Sequence, residues 1–243
     1  LVQTLSCSSH WSVMSRLSTA ALDQIDVGRD AASKSLGADY IVAGQVRCSG
    51  SRVTLSLSVT ECRGQVLIWE GESSCAAADL FDTEYRIVRG AAAEISAAVL
   101  SRQVNLAHAV ALPNMPSYAL LLSAMSLLHR LGQNDFLRAH DLLDHLVQRN
   151  PRAPEAHTWL AKWFFLQIAQ KRVADSTLAL KETDDHLACA LDADPQHALA
   201  LALSGHLRIY ARFEPAPALQ QLHAAVRAGP NEPMAWLFLS NAL

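Results

Sequence analysis

The sequence predicts an α/β sheet domain, with a mixed sheet and flanking helices, followed by an all-α array of repeated helical hairpins. Three observations indicate this fold class. Residues 52–60 alternate apolar and polar side chains, residues 81–99 carry an apolar stripe, and three similar segments further along end a helix at a proline. A period of two is typical of a strand buried on one face, and spacings of three and four are typical of an amphipathic helix. We therefore expect the sheet domain at residues 1–110 and the helical array at residues 114–243.

The strands of the sheet domain are predicted within residues 38–72. The alternating run 52–60 follows another apolar run at 40–48, and Gly50-Ser51 between them suits a two-residue hairpin turn. A third strand is predicted at Val66–Trp69, and Trp11–Ser15 is a candidate fourth strand. In the predicted hairpin register, facing residues pair as Val42 with Val59, Gly44 with Leu57, Val46 with Leu55, and Cys48 with Val53. Because all of them are apolar or small, we expect this face of the hairpin to be buried.

Two helices are predicted beside these strands. Asp26 suits the N-cap of a helix from Val27 to Leu36, and Gly37 suits its C-terminal stop. A longer helix is predicted from about Asp79 to about Val104. Its apolar stripe consists of Phe81, Tyr85, Val88, Ala92, Ile95 and Val99. We expect this stripe to pack on the sheet.

After Pro113 the chain repeats a pattern in which a helix ends, a proline follows and a new apolar helix begins. The prolines are Pro151, Pro195 and Pro230, and repeats of this length built from paired helices indicate a solenoid. The second pair carries an insertion around Gln170–Ser176, and a fourth pair starts at Pro233 and stops at Leu243. Small residues fall where the two helices of a pair would touch: Ala124 with Ala139, Ala161 with Thr183 in the small-residue place, and Gly205 with Ala218.

The spacing of these small residues and prolines resembles the tetratricopeptide repeat, and the segment before them resembles TolB-like amino-terminal domains. Gly44, Val46 and Arg47 match a Gly-x-Val-Arg motif, Trp69 matches a tryptophan-containing strand, and Leu80-Phe81 matches the pair that opens the next helix. Such modules occur together in bacterial multidomain class III adenylate or guanylate cyclases and in winged-helix transcription regulators. The family's first strand is missing here and the chain opens with Leu1, so we expect an N-terminally truncated piece of a longer protein.

Composition and motifs limit the function classes. The chain is 51% hydrophobic and 18% charged with a net charge of −3, and both halves balance their acidic and basic residues. Nothing suggests the basic surface of a nucleic-acid-binding protein, a membrane span or a signal peptide. Five scattered cysteines without a CxxC pair indicate free thiols in the cytoplasm. Phosphate-binding loops and hydrolase or metalloprotease motifs are absent, so we expect neither catalytic nor cofactor-binding residues.

Several polar and aromatic groups have a plainer interpretation than a functional site. His140 and His145 are five residues apart, a poor spacing for metal chelation on a helix, so we interpret them as solvated and expect no metal. The other histidines after Pro113 are interpreted as scattered surface residues rather than pH sensors. The aromatic group of Trp159, Trp163, Phe164 and Phe165 is predicted to pack in the core rather than to form a ligand cage.

The candidate partner-binding groove is the inner surface formed by the first helices of the pairs, which is where tetratricopeptide arrays bind. Its predicted residues are Glu155, Thr158, Lys162 and Phe165 in the second pair, His206 in the third pair and Asn241 in the last helix. Lys162 and His206 would be its polar donors. Leu199, Ala202 and Ile209 also fall on this surface, and the apolar residues are more simply explained by packing between repeats.

Two functional hypotheses follow. The first is a non-catalytic regulatory module of a bacterial cytoplasmic signalling protein, binding a protein or peptide in the groove of the repeats. The second is a small-molecule sensor or enzyme that uses a cleft between the sheet domain and the repeats, since clefts between domains often bind ligands. The sequence leaves open whether the chain forms a homo-oligomer.

Overall fold

The computed structural model describes residues 1–6, 12–15, 18–19, 36–130, 132–173 and 175–243, with the backbone only for residues 80–85 and 108. A short helix α1 (Val2–Ser6) precedes three strands, β1 (Tyr40–Ser49), β2 (Arg52–Glu61) and β3 (Val66–Ala76). The helices that follow are α2 (Leu80–Ala109), α3 (Ser117–Leu128), α4 (Gln133–Arg149), α5 (Pro154–Ala169), α6 (Thr177–Ala193), α7 (Ala198–Arg212), α8 (Pro215–Ala228) and α9 (Pro233–Ala242). A small sheet is thus followed by a helical array.

The chain divides into two compact units, residues 1–102 and residues 103–243. The division falls inside α2, so this one helix contributes residues to both units. Below, the first is called the sheet unit and the second the helical unit. The domain limits expected from the sequence, at residues 110 and 114, stay a prediction.

The sheet is antiparallel throughout its described strands, in the order β1-β2-β3, rather than mixed as expected. The predicted hairpin register is confirmed: Cys48 faces Val53, and Val42 faces Val59. Gly50 has a φ of 58°, a left-handed conformation that favours glycine in this tight turn. Ser12–Ser15 are not in a strand, and Trp11 lies outside the described residues.

The face of the hairpin is buried on β2 only, which corrects the expectation of one continuous buried face. Val59 is fully buried and Leu57 nearly so, because Ala91, Ile95 and Val99 of α2 pack over them. Val46 on β1 lies on the same face yet is 62% exposed. Register therefore fixed which side chains share a face, whereas the position of the helix decided which of them are buried.

Helix α2 extends five residues beyond its predicted end at Val104. Its predicted apolar stripe does reach the sheet, since Ala92, Ile95 and Val99 are all buried. An ion pair fixes the helix to the end of the sheet: the Arg102 guanidinium donates two hydrogen bonds, of 3.0 and 2.8 Å, to Oε2 of the buried Glu61. The predicted helix Val27–Leu36 lies outside the described residues except for its last residue. Gly37 follows with a φ of 62°, as a helix stop requires.

The helical unit consists of successive antiparallel pairs, α3 with α4, α5 with α6 and α7 with α8, with α9 packed on α7 and α8. The small residues expected at the helix contacts are all buried, namely Ala124, Ala139, Ala161, Thr183, Gly205 and Ala218. A Cβ at Gly205 would lie only 2.8 Å from Cγ of Leu222, so a larger residue would force α7 and α8 apart. The predicted insertion forms the connection between α5 and α6.

Among the residues that the structure describes, none of the helices has both the length and the apolar character that crossing a bilayer requires.

Candidate functional site

Ring contacts connect the first helices of successive pairs along one side of the helical unit. The His129 ring, just after α3, meets Trp159 of α5 edge-on at 6.3 Å. Further along, Phe165 of α5 contacts His206 of α7 at 5.4 Å, and His206 stacks on Phe238 of α9 at 4.1 Å. We call this side, defined by Trp159, Lys162, Phe165, His206, Tyr210 and Phe238, the aromatic surface.

Lys162 is the buried charge of the aromatic surface. Its side chain is only 7% exposed, and its Nζ lies 4.3 Å from the centroid of the Trp159 ring. Within the described residues, no carboxylate lies within 4.0 Å of this ammonium group. Burial lowers the pKa of Lys162, and the more distant carboxylate of Glu232 partly offsets that effect. The ammonium is therefore largely removed from solvent, with an indole face beside it and the Glu232 carboxylate as a more distant opposite charge.

Three predicted groove residues, Lys162, Phe165 and His206, lie together on the aromatic surface. Phe165 is buried between helices, and its ring also meets Tyr210 at 5.5 Å. His206 is half-buried, and burial lowers its pKa. The apolar Leu199 and Ala202 are buried in packing, as the simpler reading of these positions expected.

The other predicted groove residues are placed differently. Glu155 and Asn241 are exposed, whereas Thr158 is fully buried and donates a 2.7 Å hydrogen bond to the Pro154 carbonyl. Thr158 is therefore inaccessible to a partner, and its hydroxyl is already used in the first turn of α5.

Sequence reasoning missed three rings and a carboxylate of this site. Trp159 was assigned to the core although it also supports the Lys162 ammonium. Tyr210, Phe238 and Glu232 were not singled out. Tyr210 comes one helical turn after His206, so helical periodicity could have found it. Phe238 and Glu232 reach the site through the packing of α9 on α7, which no local pattern encodes.

A second group of rings lies between α4, α5 and α6. Trp163 is buried, stacks on Phe136 at 4.9 Å and donates a 2.7 Å hydrogen bond to the Phe136 carbonyl. His140 packs against Trp163 at 4.4 Å while a third of its side chain stays exposed, so it is only partly solvated. The expectation that Trp159, Trp163 and Phe165 pack in the core agrees with their burial.

A histidine pair joins α5 to α6. Nδ1 of the buried His157 lies 2.9 Å from Nδ1 of His186, and Nε2 of His157 lies 3.0 Å from the Pro151 carbonyl oxygen. Because a carbonyl only accepts, His157 donates from Nε2, and in its neutral form it accepts at Nδ1 from His186. His157 is therefore not the surface residue expected from the sequence.

The surroundings of His186 disfavour its charged form. Burial lowers the pKa of His186 most, and His157 lowers it further. Nearby carboxylates act in the opposite direction, namely Glu182, Asp185 and Asp144. The net direction is a lowered pKa of His186, so its neutral form is favoured.

In the described part of the chain, no group of three or more His, Cys, Asp or Glu residues is arranged to bind a metal ion. The chemistry that the aromatic surface offers is recognition: a buried ammonium beside aromatic rings can receive an anionic group and an adjacent apolar one. The alternative of a ligand cleft between sheet domain and repeats stays a hypothesis.

The chain was compared with known protein families and with curated proteins. A scan of the chain against models of protein families finds no match, and a search of curated proteins finds none either.

Proposed function

We propose that this chain is the regulatory, partner-binding part of a bacterial signalling protein. In this proposal the helical unit is a tetratricopeptide-type array, the sheet unit is a TolB-like domain, and the attached effector is a class III nucleotide cyclase or a winged-helix transcription regulator. The chain itself is non-catalytic. The proposal rests on the motif resemblance, on paired helices with buried small residues, and above all on the buried Lys162 of the aromatic surface.

The free-energy cost of burying the Lys162 ammonium is the main physical argument for this proposal. Taking an amine out of water without a carboxylate partner costs several kcal/mol unless the charge is compensated. The Trp159 ring recovers roughly 1–2 kcal/mol of this cost. A bound carboxylate would supply the missing compensation, so the site favours an anionic ligand over a neutral one.

The chemistry around Lys162 defines the partner. We propose a protein or peptide segment that places an acidic side chain on Lys162 and an adjacent apolar side chain against the rings of Phe165 and Tyr210. Tyr210 is 47% exposed and presents much of its ring to solvent. Aromatic rings around a desolvated charge are typical of the residues that dominate binding energy at interfaces.

The test is the substitution Lys162→Met, which keeps the length of the side chain and removes its charge. We expect the free energy of unfolding to stay the same or to rise by up to about 1 kcal/mol, because a poorly compensated buried charge is removed. Peptides selected from a random display library on the wild-type chain should contain an acidic residue beside an apolar one. These peptides should bind Lys162→Met about 10-fold or more weakly.

The matched control is Lys181→Met, which removes an exposed lysine of α6 in the same helical unit. It should bind the selected peptides as the wild type does. Equal binding to the wild type and Lys162→Met, measured by titration calorimetry, would show that Lys162 serves the fold alone.

A further inference from the structure

A cleft opens inside the sheet unit, between the flank of α2 and the helix-facing side of β2 and β3. Its volume is about 180 Å³. Leu55, Leu57 and Trp69 form its apolar floor, and Ile87 and Ala91 line it from the helix. Further along α2, Ile95 and Val99 pack against Leu57 and Val59 of the sheet.

Two glycines line the cleft. A Cβ at Gly71 would lie 2.3 Å from Cζ2 of Trp69, so the indole occupies the space above Gly71 and lies along β3. Gly90 lines the cleft from the middle of α2, and a Cβ there would meet nothing within 4 Å. Glycine inside a helix costs about 1 kcal/mol relative to alanine. Gly90 therefore lowers the stability of α2 at a position where the structure has room for a side chain.

Arg86 and Glu94 are the charged side chains at the cleft, whereas Glu72 lines it from β3 with its side chain on the opposite face of the sheet from Gly71 and Ser73. The Glu72 carboxylate already accepts a 3.3 Å hydrogen bond from the Ser56 hydroxyl and lies 3.9 Å from Arg47. Glu94 takes part in no ion pair within the described part of the chain. The cleft thus combines an indole, an apolar floor and an exposed carboxylate that has no ion-pair partner among the described residues.

We propose that this cleft binds a small organic amine with an apolar body about the size of a benzene ring. An apolar cavity of about 150 Å³ holds benzene, so about 180 Å³ admits one ring and a short chain. The apolar body lies against Leu57 and Trp69, and the ammonium pairs with Glu94. An indole face and a carboxylate both favour a cation. This site belongs to the sheet unit and is independent of the proposed function of the helical unit.

The first experiment titrates the full chain with three probes of similar shape and different charge: phenethylamine, phenethyl alcohol and phenylpropionate. Binding is followed by the NMR signals of the Trp69 indole and of the Leu55 and Leu57 methyl groups. We expect the amine to bind about 10-fold more tightly than the acid, with the alcohol between them, because an ion pair at this rim is only partly screened. An equal or reversed order, or shifts only at other residues, would overturn the proposal.

The second experiment uses variants of the two walls. Glu94→Gln should weaken amine binding about threefold or more and leave the alcohol unchanged. Gly90→Leu fills the cleft from the helix and Ser73→Leu fills it from the sheet, and each should abolish binding of all three probes. Gly90→Ala adds only one methyl group and should retain binding. Far-UV circular dichroism checks that each variant is folded, and full binding to both leucine variants would contradict the assignment.

Discussion

At the scale of single residues, the histidine pair shows how one hydrogen bond fixes a protonation state. The Pro151 carbonyl requires a proton on Nε2 of His157, which leaves Nδ1 as an acceptor for His186. In the neutral pair a second proton is shared across the Nδ1–Nδ1 contact, and a third can bind only at Nε2 of His186, because two N–H groups would otherwise face each other. The pair therefore links the packing of α5 on α6 to pH.

The expected pH dependence follows from the direction of the His186 pKa. The folded state holds this pKa below its unfolded value, so below about pH 6.5 the unfolded chain binds a proton more readily than the folded chain. The contribution is neutral above that pH, and stability falls as the pH decreases from there toward the folded pKa. Chemical unfolding at several pH values between neutral and mildly acidic should show this loss.

The variant His186→Phe separates this effect from general acid unfolding. Phenylalanine keeps the contact with the Phe164 ring, which lies 5.8 Å away in the wild type, and cannot be protonated. The free energy of unfolding of this variant should fall less steeply with decreasing pH. His223→Phe, at an exposed position of α8, is the matched control and should retain the wild-type slope. If the free energy of unfolding of His186→Phe and of the wild type fell equally steeply with decreasing pH, the histidine pair would not be the origin of the pH dependence.

At the scale of elements, two helix glycines predict opposite results for one substitution. Gly90→Ala in α2 should raise the free energy of unfolding by about 0.5–1 kcal/mol, because helix propensity improves and the new methyl group meets nothing. Gly205→Ala in α7 should lower it by about 1–2 kcal/mol, because its methyl group would lie 2.8 Å from Leu222 Cγ and 3.2 Å from the Ala218 carbonyl oxygen.

Thermal unfolding followed by circular dichroism measures both glycine variants under the same conditions. Each contains the same change in the same type of element, so each is the control for the other. Changes of the same sign would mean that helix propensity outweighs packing at Gly205, and that the close approach of α7 and α8 relaxes at little cost.

At the scale of the whole molecule, the helical unit is built from contacts between neighbouring elements, whereas in the described part of the sheet unit α2 packs against β2 and β3. Arrays with neighbour contacts present long surfaces formed by several repeats, which suits the binding of an extended segment. The regulatory role proposed for the chain belongs to this scale, since it concerns the attached effector.

Deletion of residues 1–243 from the proposed longer signalling protein tests that role. We expect the effector activity to change at least about threefold and to lose its response to the partner of the aromatic surface. The full-length Lys162→Met variant should lose the response while the chain stays folded, and Lys181→Met should keep it. An effector whose activity and partners are the same with and without these residues would contradict a regulatory role.

Much of the local structure was predictable because its causes are local. The alternation of residues 52–60 and the Gly50 turn fixed the hairpin register, and the helical stripe of α2 identified the side that packs on the sheet. The small residues expected at the helix contacts are buried. The length of β3 was underestimated, since Ser73 and Cys75 form no apolar pattern and are held in the strand by pairing with β2.

The sequence by itself determined the sheet followed by paired helices, because periodicity and turn residues act within a few positions along the chain. Only the tertiary structure decided that Val46 is exposed while Leu57 is buried, that Thr158 is buried, and that Lys162 lies against Trp159. These outcomes depend on where helices far apart in sequence come to pack. Free energies of burial and of ion pairing are set by that packing, so the candidate site becomes visible only in three dimensions.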